Sequence, residues 1–160
     1  MDIYKLGDEP AAWVVNTNIN YCQSITKYLR RKTRVVHVGD LPLGGEHPIR
    51  IQSMTTTDTM DTLSTVNQCI RMIDAGSDYV RITAPSIKEA KNLGEIKKQL
   101  IKRGYTTPII ADIHFTPNAA LEAAKLVEKI RINPGNFADK KKFKYIDYSD
   151  QSYNDELERI

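Results

Sequence analysis

Polar side chains recur near the ends of four short strand-like segments of this sequence. They are Gln52 and Ser53, then Arg81, then Asp112 and His114, then Arg131 and Asn133. A strand buried in a parallel sheet normally reads as a nearly continuous apolar run, so these residues need an explanation. Residues two apart on a strand share a face, and burying charges without partners is costly. The pattern therefore predicts a polar cavity at the carboxyl ends of the strands, where α/β enzymes place their sites.

The charged pairs suggest specific chemistry. Arg81 and Arg131 could clamp a phosphate or diphosphate, since each guanidinium offers two parallel hydrogen bonds. Asp112 and His114 could act as an acid–base pair or orient a ligand. Two other interpretations remain open: a structural Arg81–Asp112 ion pair, or a divalent metal bound by Asp112 and His114, although two ligands do not make a site. Because four strands repeat the pattern, we favour a functional cavity.

The segments that carry these residues alternate with predicted helices. The strands are IRIQSMT (49–55), YVRITA (79–84), PIIADIHF (108–115) and KIRINPG (129–135). The first helix is predicted to begin at Asp61, bury Leu63, Val66, Ile70 and Ile73, and end at Gly76. The second begins at the Ser86–Glu89 capping box and ends at Gly104, and the third runs from the Thr116 N-cap to Val127. Alternation in units of about 20–30 residues predicts a parallel sheet with right-handed crossovers.

Weaker patterns flank this core. A β-hairpin is predicted over 34–45, a short strand over 13–15, an amphipathic helix over 21–31, and the opening of a further helix over 154–160. The fold class is α/β, either an open doubly wound sheet or a (β/α)8 barrel. Four strands are half of such a barrel. Because residues 154–160 also look like the opening of a helix that is cut short, we expect a longer parent protein.

The composition excludes several classes of protein. The 160 residues are 41% hydrophobic and 27% charged, too apolar for a wholly disordered chain, and no run is long enough to span a membrane. A net charge of +3, with aromatics not interleaved among the basic runs, argues against nucleic-acid binding. The only cysteines, Cys22 and Cys69, form no C-x-x-C, and no signal peptide is recognisable, so we expect a reduced, cytoplasmic protein with Cys69 in the core. The lysines of the second predicted helix, Lys97 among them, are expected on a solvated surface.

Several motifs then occur in a specific order. RVVHVGDLPLGGEHPIRIQSMTTTDTMDT, DAGSDYVRITAPS, ADIHFTPNAALEAA and KIRINPGN closely resemble the 4-hydroxy-3-methylbut-2-enyl diphosphate synthase family of the non-mevalonate isoprenoid (MEP) pathway. The resemblance covers roughly residues 34–136, and KKKFKY onward is similar to the long, three-domain form of the family. It implies a (β/α)8 barrel followed by a domain that holds a [4Fe-4S] cluster. It also implies that this chain comprises an N-terminal extension (1–33), the first half of the TIM barrel (34–137) and the start of the following barrel segment (138–160).

The resemblance also implies an activity and partners. Family members are iron-sulfur oxidoreductases that reductively open the ring of 2-C-methyl-D-erythritol 2,4-cyclodiphosphate and dehydrate it to the linear allylic diphosphate. Ferredoxin or flavodoxin usually supplies the electrons, and the enzymes are usually homodimers. No nucleic acid or membrane partner is implied.

Residue roles follow from matching motifs. By resemblance, Arg81 and Arg131 bind the diphosphate, Asp112 and His114 line the pocket near the reacting carbons, Asn133 and Asn136 position phosphate or hydroxyl oxygens, and Gln52 and Ser53 form the pocket floor. The family's cluster is held by three cysteines and a glutamate, and neither Cys22 nor Cys69 matches those motifs. We therefore expect no metal ligands in this chain, and no turnover by the chain alone.

Two other functions remain open. One is a different phosphate-binding barrel enzyme of the pterin-synthase type, which shares the DIH strand end but not the other motifs together. The other is a non-catalytic half-barrel that dimerises through its open strand edges.

Overall fold

The computed structural model describes residues 3–4, 14–15, 26–27, 32–139 and 147–159. Near the amino terminus, β1 (Ile3–Tyr4) and β2 (Val14–Val15) form an antiparallel pair, which confirms the short strand predicted there. Thr26 and Lys27 form a bend, so the helix predicted over 21–31 is wrong at these two positions. Its remaining residues, Cys22 included, lie outside the described residues, as do residues 140–146.

A β-hairpin precedes the main sheet, as predicted. It consists of β3 (Val36–Val38) and β4 (Leu41–Leu43), paired antiparallel through the register Val38↔Leu41. Gly39 occupies the two-residue turn at φ +59°, a conformation that side-chain-bearing residues rarely adopt. Arg50 ties the hairpin to the sheet, because its Nε donates to the Pro42 carbonyl (3.0 Å) and its guanidinium pairs with Asp78 (3.5 Å).

Four parallel strands form the main sheet. They are β5 (Gln52–Met54), β6 (Tyr79–Thr83), β7 (Ile109–Ile113) and β8 (Lys129–Ile132), in the spatial order β5-β6-β7-β8. The crossovers are α1 (Thr62–Asp74), α2 (Ile87–Lys102) and α3 (Pro117–Ala123). Two helices follow, α4 (Pro134–Asp139) and α5 (Asp150–Arg159), the latter starting four residues before the predicted helix. The predicted α/β alternation is confirmed, and the described strands do not close into a complete barrel.

The helix boundaries follow their capping signals. Asp61 caps α1 by accepting from the Ser64 amide (3.0 Å), and Ser86 and Glu89 form the predicted capping box of α2. Thr116 occupies the N-cap position of α3 but its side chain makes no capping bond, and its hydroxyl donates to the Pro85 carbonyl (3.1 Å). The prediction that α3 reaches Val127 is wrong, since residues 124–126 form turns after Ala123 and the amides of Lys125 and Leu126 bond to carbonyls three residues earlier.

Helices cover one face of the sheet. The core between the sheet and these helices is aliphatic. Its largest fully buried side chains come from β6, β7 and α2: Val80, Ile82, Ile109, Ile113, Leu93, Ile96 and Leu100. From α1, Thr65, Val66 and Cys69 are buried, whereas Leu63 is 61% exposed, so the buried face of α1 is rotated from the one predicted. No helix in the described part of the chain is long and apolar enough to cross a bilayer.

The hairpin covers the amino end of the opposite face. Val38 packs there with Tyr79 of β6 and Ile110 of β7, and Leu41 borders the cluster. This apolar contact closes the lower end of that face, so only the carboxyl ends of the strands are left for a polar site.

Candidate functional site

The polar residues predicted from the sequence lie on the sheet face opposite the helices, which we call the site face. Along β6, Val80 and Ile82 enter the helix-side core, while Arg81 and Thr83 point to the site face. In-register neighbours in a parallel sheet share a face, and Asp112 is in register with Thr83 on one side and Arg131 on the other. Three adjacent strands therefore contribute polar side chains to one face.

Asp112 is the centre of the site. Its side chain is 0% exposed and contacts three groups: Arg81 Nη2 at 2.6 Å, Arg131 Nη1 at 3.2 Å and His114 Nε2 at 3.1 Å. Burying a carboxylate is tolerated only when it is paired and hydrogen-bonded, and these contacts supply that pairing. The Arg81–Asp112 ion pair considered from the sequence is present, and Arg131 and His114 extend it into a four-residue cluster.

The two arginines retain unused hydrogen-bonding capacity. A guanidinium carries five N–H donors, and only part of each set is directed at Asp112. Arg81 Nε is buried without a hydrogen-bond partner among the described residues. The side chain of Arg81 is 25% exposed and that of Arg131 is 41% exposed, so both reach the surface of the site face. Two positive groups anchored by one buried carboxylate can bind a second anion from solvent.

A threonine-rich loop between β5 and α1 closes over the end of β6. The Thr55 amide donates to the Arg81 carbonyl (2.9 Å), and the Thr59 hydroxyl donates to the Thr83 carbonyl (2.6 Å). Asn92 of α2 donates in turn to the Thr59 carbonyl (2.6 Å). The role of this loop was not predicted from the sequence, although its signal, a run of hydroxyl residues directly after a strand, is present in MTTTDTMDT.

Ser53 is not brought to the Asp112 cluster. On β5, Gln52 is in register with Tyr79 and Met54 with Arg81, which places Gln52 on the site face. Ser53 is in register with Val80 and therefore faces the helices. The expectation that Gln52 and Ser53 line one pocket floor is wrong for this reason, since adjacent strand residues point to opposite faces.

The two asparagines lie just beyond β8. The Asn133 carbonyl accepts from the Phe137 amide (2.9 Å) at the start of α4, and Asn136 lies within that helix. Both are partly exposed. Neither donates to Asp112 among the described residues, so their assignment to substrate oxygens stays a prediction.

A cleft of about 530 Å³ lies at the other end of the sheet. Its walls include Gly39 and Asp40 of the hairpin turn, Asp78 before β6 and Glu128 before β8. It contains none of the residues predicted for the site. The Asp112 cluster is therefore distinguished by its charge arrangement and not by the volume of a preformed hole.

The described residues do not fit a metal or cluster site. They contain no group of three or more His, Cys, Asp or Glu side chains that could hold a metal ion. Cys69 is fully buried among apolar side chains, and this burial raises the pKa of its thiol to about 12. Cys69 is the small core residue predicted from the sequence, and a protonated, inaccessible thiol is unsuited to bind iron.

Comparison with known proteins gives a consistent result. Proteins named 4-hydroxy-3-methylbut-2-en-1-yl diphosphate synthase (flavodoxin) from Parabacteroides distasonis and Leptospira interrogans are 59% and 54% identical over 134 and 143 residues, which is 83% and 89% of this chain. The chloroplastic synthase (ferredoxin) of Oryza sativa is 51% identical over 141 residues. The chain spans only 22%, 22% and 19% of these relatives.

The matching family model agrees with the observed alternation of parallel strands and helices. The GcpE TIM-barrel domain matches residues 33–154, which include the hairpin, all four parallel strands and the Asp112 cluster. The partial barrel predicted from the sequence is thereby confirmed. The chain belongs to the GcpE TIM-barrel domain family.

Proposed function

We propose that this chain supplies the diphosphate-binding wall of a 4-hydroxy-3-methylbut-2-enyl diphosphate synthase. The substrate would be 2-C-methyl-D-erythritol 2,4-cyclodiphosphate, which two electrons and two protons convert to the linear diphosphate with loss of water. The observation that carries this proposal is the buried Asp112 carboxylate, which holds two arginines and a histidine on one face. The identities of 50–59% to proteins named as this synthase support it.

The cluster divides into anchoring and ligand-facing groups. Asp112 orients Arg81 and Arg131, whose remaining N–H donors bind the diphosphate oxygens. His114 Nε2 lies 3.1 Å from Asp112 Oδ2, which leaves Nδ1 as the ring nitrogen that can meet a ligand. We propose that this nitrogen hydrogen-bonds a substrate hydroxyl near the reacting carbons. Asn133, Asn136 and Gln52 would complete the binding surface.

The electrons must come from outside the described residues. In the family a [4Fe-4S] cluster supplies reducing equivalents, but the described residues do not fit such a cluster, so we assign these residues only binding and orientation. Flavodoxin or ferredoxin is the proposed electron donor, which the names of the relatives support. We further propose a homodimer in the cytoplasm, with residues 34–137 as the first half of the barrel and 138–160 as the start of the next segment.

Calorimetric titration of the chain with the cyclic diphosphate tests this proposal. We expect saturable binding by the wild type, and Arg81→Ala and Arg131→Ala each to weaken it by roughly tenfold or more, as for one lost charge-assisted hydrogen bond. The control is Arg103→Ala, which removes an exposed arginine at the end of α2. Failure of the folded wild type to bind would contradict the proposal.

A second assay addresses turnover. We expect the 160-residue chain to bind the cyclic diphosphate without reducing it, because its two cysteines are too few for the three-cysteine ligand set of the family. Incubation with a reduced low-potential donor, followed by chromatography of the products, measures this directly. Appearance of the linear allylic diphosphate would show that the expectation is wrong.

A further inference from the structure

The site face carries one more basic side chain, which neither the motifs nor the proposed function assigns. Lys129 is the first residue of β8 and lies two residues before Arg131, so both point to the same face. Lys129 is in register with Ile110, which is buried beneath the hairpin. It therefore lies one layer nearer the floor of the site than Arg131.

Arg81 shows how far a long side chain in this layer reaches. Arg81 also pairs with Ile110, from the opposite side of β7. Its guanidinium nonetheless lies 2.6 Å from Asp112, which is one layer nearer the carboxyl end. Lys129 and Arg81 thus flank Ile110 symmetrically. The layers are about 6.6 Å apart along a strand, and the flexible four-carbon stem of a lysine can carry its ammonium toward the Asp112 level.

Lys129 has no counter-charge within the described part of the chain. It is half-buried, and it makes no ion pair or side-chain hydrogen bond with another described residue. The adjacent Glu128 is already engaged, with Oε1 at 2.6 Å from Lys97 Nζ and Oε2 accepting from the Ile109 amide at 2.9 Å. Asp112 in turn is occupied by its three partners. A partly buried ammonium beside an apolar floor interacts strongly with any anion that enters.

We propose that Lys129 is a third diphosphate-binding residue, which contacts the phosphate group lying deepest in the site. The inference rests on the proposed function and extends it, because it adds a floor contact to the two arginines of the wall. The arginines present planar forks, whereas Lys129 presents a compact point charge with three rotatable donors. Together they would surround a diphosphate from three sides, and Asp112 would hold the arginines in place.

Titration of inorganic pyrophosphate into the full 160-residue chain tests this assignment. The variants are Lys129→Met, which removes the charge and keeps the length, and Lys129→Arg, which restores a cation. The matched control is Lys98→Met, which removes the same charge from an exposed position on α2. We expect Lys129→Met to weaken binding by roughly tenfold, Lys129→Arg to recover most of the affinity, and Lys98→Met to stay within about twofold.

The outcomes separate the two proposals. If Lys129→Met binds pyrophosphate as the wild type does while Arg81→Ala does not, the Lys129 assignment is overturned and the proposed site stands. If Lys98→Met weakens binding equally, net charge accounts for the effect and the assignment is also overturned. If the folded wild type does not bind pyrophosphate, both proposals fail. Circular dichroism checks folding, and Lys129→Gln replaces the methionine variant if that variant is unfolded.

Discussion

Asp112 and Arg131 are in-register neighbours on adjacent strands, yet they differ in their access to solvent. The Asp112 side chain is completely buried, whereas two-fifths of the Arg131 side chain is exposed, and 3.2 Å separates Oδ1 from Nη1. The carboxylate therefore acts as an internal anchor, and the guanidinium as the part of the pair that meets solvent. Stability and ligand binding should respond differently when the two residues are changed.

Asp112→Asn tests the anchoring role. The substitution preserves shape but leaves two guanidinium groups and His114 without their shared buried carboxylate. We expect the free energy of unfolding at neutral pH to fall by about 3 kcal/mol, as when one partner of a buried ion pair is removed. Urea denaturation followed by circular dichroism measures the change. The control is Asp155→Asn, an exposed position on α5, which should change stability by less than about 0.5 kcal/mol.

Asn92→Ala tests the link between α2 and the threonine-rich loop. Asn92 donates both to the Thr59 carbonyl and to the Thr62 hydroxyl, at 2.6 and 2.9 Å. Its removal leaves a carbonyl unsatisfied beside a buried threonine, so we expect a loss of about 1–3 kcal/mol in unfolding free energy. Lys91→Ala, at the exposed neighbouring position, is the control and should have almost no effect. Equal stability of the two variants would mean that the loop is held without Asn92.

Cys69→Ala tests the burial of the Cys69 thiol through the pH dependence of protein stability. Because the pKa of the folded thiol is raised from 9.0 to about 12, the thiol stays protonated when the unfolded chain ionises. Its contribution to stability is complete below pH 9 and declines as the pH rises toward 12, by at most about 1.4 kcal/mol per pH unit. We expect the stability advantage of the wild type over Cys69→Ala to shrink between pH 8 and 10.5 in urea titrations. The titration of all other groups affects both proteins equally. A stability advantage of the wild type that stays constant with pH would therefore contradict the burial of the thiol.

Ser86→Ala tests the capping box of α2. The Ser86 hydroxyl bonds the Glu89 carboxylate, and this bond is the largest cause of the lowered pKa of Glu89. The substitution should cost about 1 kcal/mol at neutral pH. A lowered folded pKa stabilises the protein above the ordinary value of 4.5, and this contribution is lost as the pH falls through the folded value.

The difference between wild type and Ser86→Ala should therefore narrow on acidification, as thermal unfolding at pH 7 and pH 3 would measure. Ser77→Ala is the control, because the Ser77 side chain makes no hydrogen bond to another described residue. A stability difference between wild type and Ser86→Ala that does not change with pH would mean that the contribution of the Ser86 cap does not depend on the charge of Glu89.

The sheet and its polar face could be predicted from the sequence because β6, β7 and β8 alternate regularly. Arg81, Asp112 and Arg131 each interrupt an apolar strand, and this conflict with burial indicates a site. The three-residue strand β5 is too short for its alternation to fix which residues face the core. Its register with β6 places Ser53 on the helix side, and that register involves residues 27 positions away.

Contacts between distant elements could not be predicted either. Lys97 belongs to a run of lysines expected on a solvated surface, but it donates to the Leu126 carbonyl (2.9 Å) and pairs with Glu128. The Thr59–Asn92 bond joins residues 33 positions apart, and neither residue type specifies its partner. Composition and periodicity describe one element at a time, whereas these bonds depend on how two elements pack.

The order of the strands has a consequence for synthesis on the ribosome. Each strand of the main sheet pairs with the strand made immediately before it, so each βα unit can dock on a completed neighbour as it leaves the exit tunnel. Arg81 is synthesised 31 residues before Asp112, and Arg131 follows 19 residues after it. Asp112 can therefore pair with Arg81 as soon as β7 docks on β6, and with Arg131 once β8 has been synthesised. Asp112 is the one charged side chain among the buried residues that the structure describes, and a cation that pairs with it is synthesised before the carboxylate itself.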